Sequence, residues 1–308
     1  MPVSGRLATL FATILLAAAG VAGAASAART GDGDPLGKRW EKAKTHVVLT
    51  MGTSDYAPGD VRVSFLVVRN DGKLVEAPSA RLSVSRDMKQ KAFGTGTATL
   101  LPVAPKGGKV LDGDASHIFI GHIRVPGPGT YWLLAELEGG QVSGLGNVIV
   151  RKTTQAVAVG AKAPASQTPT LSTTKDLAKL TTRTPPDTEL LRVSVADALK
   201  AKAPFVVVFA TPKFCSSRTC GPVVDVADAV RKRFAGTPVR FIHVEIYTDN
   251  NPSKGPNKWT REWSLPTEPW TFLVGADGRV KARFEGAIAE SELAAAIPAA
   301  LGVKEPTR

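Results

Sequence analysis

The chain has 308 residues, enough for two ordinary domains at roughly 150 residues each. Its formal charge of +12 comes from 39 Lys and Arg against 27 Asp and Glu. The basic residues are scattered, with Arg231-Lys232-Arg233 the densest cluster, and no basic stripe is interleaved with aromatics. That excludes the usual footprint of a nucleic-acid binder. It leaves a solvated surface, with loose association to a membrane or anionic envelope surface as its one electrostatic option. Chain order begins with a segment apart. Met1–Arg6 carries one positive charge, Leu7–Ala22 is almost unbroken apolar, and Ala25-Ser26-Ala27 offers small residues. This is the order of a secretory signal and its cleavage site. It predicts a signal peptide over residues 1–27 and an exported product: periplasmic, cell-envelope or secreted. A retained anchor is the competing reading, since Leu7–Ala28 approaches the roughly 20 apolar residues that span a bilayer. Residues 28–43 read as linker or disordered chain.

From about Lys44 to Arg151 the pattern is short alternating or apolar runs broken by turns. Strands are expected at Thr45–Met51, Val61–Arg69, Ala80–Ser85, Ile118–Val125, Tyr131–Leu137 and Asn147–Val150. Asp71-Gly72 suits a tight hairpin turn. No helical period of useful length appears. Six or seven short strands over this length point to a β-sandwich. The stretch Pro128-Gly129-Thr130-Tyr131-Trp132-Leu133-Leu134-Ala135 resembles the penultimate strand of an immunoglobulin-like domain, so residues 44–152 are expected to form such a sandwich, without an inter-sheet disulfide.

Lys152–Pro186 is rich in Thr, Ala, Ser and Pro and reads in part as linker, leading into a second domain over residues 153–304. There the pattern turns to alternating α and β. Ser194 can cap a helix to about Ala201, and Pro204–Ala210 is a continuous apolar strand. A cysteine loop precedes a helix over Pro222–Phe234, followed by a strand at Val239–Tyr247 and a helical turn around Asn257–Trp263. Trp270–Val274 and Val280–Phe284 form a hairpin through Asp277-Gly278, and Glu290–Leu301 is a final helix.

Three places carry a family resemblance. Phe209-Ala210-Thr211-Pro212-Lys213-Phe214-Cys215 is similar to the strand end that places the nucleophilic cysteine of thioredoxins. Thr267-Glu268-Pro269-Trp270-Thr271-Phe272-Leu273-Val274 resembles the cis-proline segment of extracytoplasmic thiol-disulfide oxidoreductases. Phe284-Glu285-Gly286 with Glu292-Leu293 is similar to the family's end. The resemblance implies a multidomain chain: an all-β immunoglobulin-like sandwich, then an α/β thioredoxin-like fold. It also implies catalytic Cys215 and Cys220, a cis Pro269, and Glu268 pairing through its backbone with a bound client. Glu268, Pro269 and Trp270 are the substrate-binding candidates, although Trp259, Trp263 and Trp270 also suit a core.

The residues themselves fit thiol chemistry. Two cysteines five positions apart close a loop too short to restrain the unfolded chain much. A thiol attacks a disulfide only as thiolate, which a helix N-terminus favours through unpaired N–H groups. With Pro222 at the first helical position and Gly221 as cap, both sulfurs would face that positive end, with Lys213 and Arg218 adding cationic field. Were the loop helical from Ser216, residues five apart would sit about 8 Å apart and about 140° around the axis, too far for a disulfide. The bond therefore requires a non-helical turn. The spacing departs from the two intervening residues of thioredoxins. So does the absence of an acid at Val208, with His243 and Glu245 alternating on the next strand instead.

Thiol–disulfide exchange on protein thiols or disulfides of exported clients, with an unidentified redox partner, is the leading expectation. One rival is a peroxiredoxin Q-like peroxidase, which shares the C-x4-C spacing but needs a threonine where Pro212 stands. Another is a non-catalytic adaptor with a permanent clip. Copper delivery of the Sco type needs a distal histidine, and none follows His243. No cofactor and no metal is expected.

Overall fold

Residues 33–108, 115–215 and 219–307 are described by a computed structural model; the expected signal segment and Arg218 lie outside them. Before the first strand, α1 (Leu36–Glu41) buries Leu36 and Arg39. The Arg39 guanidinium pairs with Glu136 and donates to Ser83 Oγ at 2.9 Å. Among the described residues no helix is long and apolar enough to cross a membrane.

The first half forms β1 (Thr45–Met51), β2 (Gly59–Val68), β3 (Ser79–Ser85), β4 (Gly94–Pro102), β5 (His117–Val125), β6 (Gly129–Leu137) and β7 (Val142–Val150). They close into a barrel in the order β1-β2-β5-β4-β3-β6-β7. Side chains alternate across a strand: in β1 Val47 and Leu49 point inward while Val48 is exposed. Inside, Phe65 and Phe119 stack at 5.4 Å between ring centroids. Each fully buried side chain of this kind contributes about 1.5–3 kcal/mol of transfer free energy.

The expected immunoglobulin-like sandwich is therefore corrected to a closed barrel, for two reasons. The strand β4, absent from the sequence-based expectation, pairs with both β3 and β5 and fills the gap between them. On the far side β1 runs parallel to β7, from Thr45 opposite Val142 to Val48 opposite Leu145. Full closure leaves no sheet edge, where a sandwich would keep four.

After the barrel come α2 (Leu177–Leu180), α3 (Val195–Lys200), β8 (Phe205–Phe209), α4 (Cys220–Arg233), β9 (Arg240–Val244), α5 (Lys258–Glu262), β10 (Trp270–Val274), β11 (Val280–Glu285) and α6 (Glu290–Leu301). The strands form one small sheet, β11-β10-β8-β9, with β8 and β9 parallel and the other pairs antiparallel. Val206 and Val208 of β8 face α4 and α6; Phe205, Val207 and Phe209 face Trp263, Trp270 and Phe272. A strand covered on both faces reads as a continuous apolar run. The expected thioredoxin-like α/β domain is corrected too. The chain is mainly β, a seven-strand barrel plus a four-strand sheet. Its helices are short: α2, α3 and α5 have four, six and five residues. Thr- and Pro-rich sequence over Lys152–Ser194 supplies little regular structure to cover the sheet.

Barrel and sheet share a buried junction. Outward-facing Ile118 and Ile120 of β5 pack with Ala287 and Ala289. Arg62 of β2 makes a fork with Glu292, Nε to Oε1 at 2.6 Å and Nη2 to Oε2 at 2.9 Å, and donates to the carbonyls of Glu285 and Ala287. Buried Asp55 accepts from Gln155 N, Ala156 N and Arg283 Nη1. Gly286 has φ +73°, and a Cβ there would collide with the carbonyl of Gly52, so this close approach requires glycine.

Removing one partner of a buried ion pair strands the other charge. Glu292→Ala should lower the unfolding free energy by about 3 kcal/mol, measured by urea denaturation. The double variant Arg62→Met/Glu292→Leu should lose clearly less. Equal losses would show that the stranded guanidinium is not what costs stability.

Candidate functional site

The strand β8 ends at Phe209, and the chain turns through Thr211–Phe214 to Cys215. The helix α4 then starts at Cys220, with Thr219 in the cap position. Its start lies two residues earlier than the expected start at Pro222. Pro222 becomes the third helical residue, where its missing N–H is still one of the unpaired groups of the first turn. Cys215 lies before the helix, and it meets Cys220 as a disulfide with Cα atoms 5.9 Å apart. The two sulfurs are not equivalent. Cys220 is fully buried against Val206, Val208 and Val223, while Cys215 is half-buried. The backbone N–H of Cys220 donates to Cys215 Sγ at 3.3 Å, so an unpaired donor of the helix start is aimed at the more accessible sulfur.

A third group completes the cluster. The Glu268–Pro269 peptide is cis, and the Glu268 carboxylate lies within 4.8 Å of both sulfurs. Tyr247 Oη donates to Glu268 Oε1 at 3.3 Å, whereas Oε2 is buried without a partner. Burial pushes the Glu268 carboxyl up to about 7; the Tyr247 hydrogen bond opposes this and the neighbouring Glu245 carboxylate adds to it. Burial and the same Glu268 carboxylate raise the Tyr247 hydroxyl above its ordinary value.

Behind the cysteine turn stands a second acid. Glu245 Oε1 accepts from Thr182 N at 2.6 Å and from Thr182 Oγ1 at 2.9 Å. Thr182 Oγ1 in turn accepts from Lys213 N at 3.1 Å. The cysteine turn is thus tied to a buried carboxylate through one hydroxyl. His243 is buried beside Val208 in the sheet register and donates from Nε2 to the Ala210 carbonyl at 3.0 Å. That bond ties β9 to the end of β8.

Of the residues singled out in sequence, Cys215, Cys220 and Glu268 are brought together. Pro269 is buried beside them, its carbonyl accepting from Gly286 N. Trp270 is 1% exposed, its ring stacked on Phe272 and beneath the Arg283 guanidinium, which makes it core rather than groove. Lys213 is exposed and sits over the Phe214 ring. Sequence reasoning missed Tyr247 and the side-chain contact of Glu268. The period of two that placed His243 and Glu245 on one face extends to Tyr247 and was the available signal. A cleft of ≈ 490 Å³ runs beside Glu268 and Tyr247, with Met51–Ser54 of the barrel as its opposite wall.

No protein-family model matches the chain, and comparison with curated proteins and with solved structures finds no match. The thioredoxin-like and immunoglobulin-like resemblances read from short motifs thus have no family match behind them.

Glu268 also makes stability depend on pH. Its carboxyl ionises near 4.5 in the unfolded chain and near 7 in the fold. Between those values the folded chain holds a proton that the unfolded chain has lost, so stability falls as pH rises through that window. The fall should be smaller in Glu268→Gln, as read by urea denaturation from pH 4.5 to 8. An unchanged slope would exclude Glu268 as its source.

Proposed function

We propose that the protein is an exported thiol–disulfide oxidoreductase acting on cysteines of exported clients through the Cys215/Cys220 pair. The observation that carries this reading is the asymmetry of the disulfide. One sulfur is accessible and receives a helix-start N–H, and the other is buried behind it. A structural clip needs neither feature. The signal-like order of residues 1–27 supports export.

In the reducing direction, the Cys215 thiolate attacks one sulfur of a client disulfide. A Cys215–client bond forms, and the other client sulfur leaves as a thiolate that takes up a proton. Cys215 is the attacking sulfur because it is the accessible one, and the Cys220 N–H stabilises its negative charge. Resolution requires Cys220 to lose its proton. Glu268 lies within 4.8 Å and titrates near neutrality, so it is the group suited to accept that proton. The Cys220 thiolate then attacks Cys215 Sγ, restoring the ring disulfide and releasing the second client thiolate. Oxidation of a client dithiol runs the same steps backwards. The cleft beside Glu268 offers room for a client segment, with the barrel as one wall.

The variant Cys220→Ser should accumulate mixed disulfides through Cys215 that mass spectrometry of trapped clients identifies, and Cys215→Ser should accumulate none. The reduction potential of the pair should lie above about −300 mV, the region below which structural disulfides fall. A lower value together with empty traps would reassign the pair as a permanent clip.

A further inference from the structure

We propose that, once reduced, Cys215 and Cys220 together with the Glu268 carboxylate form a binding site for Zn2+. The three donor atoms already lie within 4.8 Å of one another. Tetrahedral zinc with bonds of about 2.3 Å to sulfur and about 2.0 Å to oxygen needs donor separations of roughly 3.5–3.8 Å. Opening the disulfide moves the sulfurs apart towards that value, inside the envelope the structure shows. The four-residue spacing between the cysteines also falls within the range common for zinc-binding pairs.

Independent support comes from Glu268 itself. Its Oε2 is buried and has no hydrogen-bond partner, a costly state for a carboxylate oxygen. The second oxygen is held by Tyr247, which orients the carboxylate as outer partners of metal ligands commonly do. The donor set selects the ion. Two thiolates exclude Ca2+ and Mg2+, which take oxygen ligands, and a carboxylate is a poor donor for Cu+. Two sulfurs and one oxygen suit a borderline ion such as Zn2+, and the fourth position stays open to water. Three anionic ligands outweigh the charge of the ion by one, and the start of the fourteen-residue helix α4 offsets part of that excess.

The site rests on the exchange reading in one respect: the pair must reach the dithiol form. A client dithiol reduces the protein disulfide, the client gaining a disulfide and the two protein sulfurs two protons. Zn2+ then displaces those two protons. In reverse, Zn2+ first leaves, the two freed thiolates give two electrons to a client disulfide, the Cys215–Cys220 bond forms, and the two client sulfurs take up two protons. While the metal is bound, neither sulfur is free to attack, so free zinc sets the exchange rate.

The test uses the full-length chain reduced with a phosphine under native conditions, its free thiols counted before metal is added. Co2+ should give sulfur-to-metal charge-transfer absorption and tetrahedral visible bands at one equivalent. Zn2+ should displace it, and the oxidised protein should show neither signal. Glu268→Gln should weaken Zn2+ at least about tenfold with two thiols still counted, and Cys220→Ser by about a hundredfold or more. Two counted thiols without the cobalt spectrum would overturn the site and leave the exchange reading standing. So would a Glu268→Gln protein that binds as tightly as its parent. No thiols after reduction would overturn both, and the thiol count tells the two failures apart.

Discussion

The carboxylate of Glu285 holds the molecule's two halves in one geometry. It accepts from Ser54 N, Ser54 Oγ and Asp55 N of the barrel and from Thr267 Oγ1 of the sheet's lead-in, each at 2.8 Å. Four donors use the full acceptor capacity of a carboxylate, and bonds to a charged acceptor are the stronger kind. Thr267 precedes Glu268, so the bond that fastens the barrel loop also fixes the segment that carries an acid to the sulfurs. Trp270, paired with Glu285 in the sheet register, seals the other side with its ring in the core. The Arg62–Glu292 fork and the Asp55–Arg283 pair flank this carboxylate. The junction is therefore fixed by directional, buried polar contacts as well as by apolar area.

Within that frame the electrostatics around the disulfide are opposed rather than uniformly positive. A helix start and its N–H favour negative charge on Cys215, while the Glu268 carboxyl lies within 4.8 Å of both sulfurs and Glu245 stands near enough to Glu268 to raise it. In the proposed reading the thiolate forms at the accessible sulfur. On the Glu268 carboxyl, burial and the neighbouring Glu245 carboxylate favour the protonated form. That division of labour is what a dithiol needs if one sulfur attacks first and the other waits. In the two proposals, proton handling and metal binding converge on the same carboxylate.

How legible this was in the sequence depends on how local each feature is. The β8 strand was readable because sheet and helices bury both of its faces, leaving Phe205–Phe209 apolar throughout. The β10–β11 hairpin was readable from Asp277-Gly278, where Gly278 takes φ +70°. The strand β4 was not. Its Gly94-Thr95-Gly96-Thr97 run looks like loop, yet Gly96 is needed because a side chain there would strike the His122 carbonyl of the adjacent strand. Without that strand the barrel reads as an open sandwich. Nor was the parallel β1–β7 pairing visible, since nothing local encodes the meeting of strands about a hundred residues apart. For the candidate site, the cysteine pair was evident, and helix geometry limited how its sulfurs could meet. The place of Glu268 before a proline drew attention to its backbone, and the fold also brings its carboxylate within 4.8 Å of the sulfurs.

That placement changes what the barrel is for. An acid built into β8 beside the cysteines would owe its position to the sheet alone. Here Val208 occupies that strand, with Thr271 and His243 its register partners, and the acid arrives from the loop before β10. Glu285 fastens that loop to Ser54 and Asp55 of the barrel. In the proposed reading the proton that Cys220 must lose goes to a group whose location is set by the other half of the chain. The barrel then does more than tether or recruit a client. In that reading Glu268 must come within proton-transfer reach of Cys220, where a change of even one ångström matters. A client lodged between Met51–Ser54 and Tyr247 would touch the loop that carries Glu268.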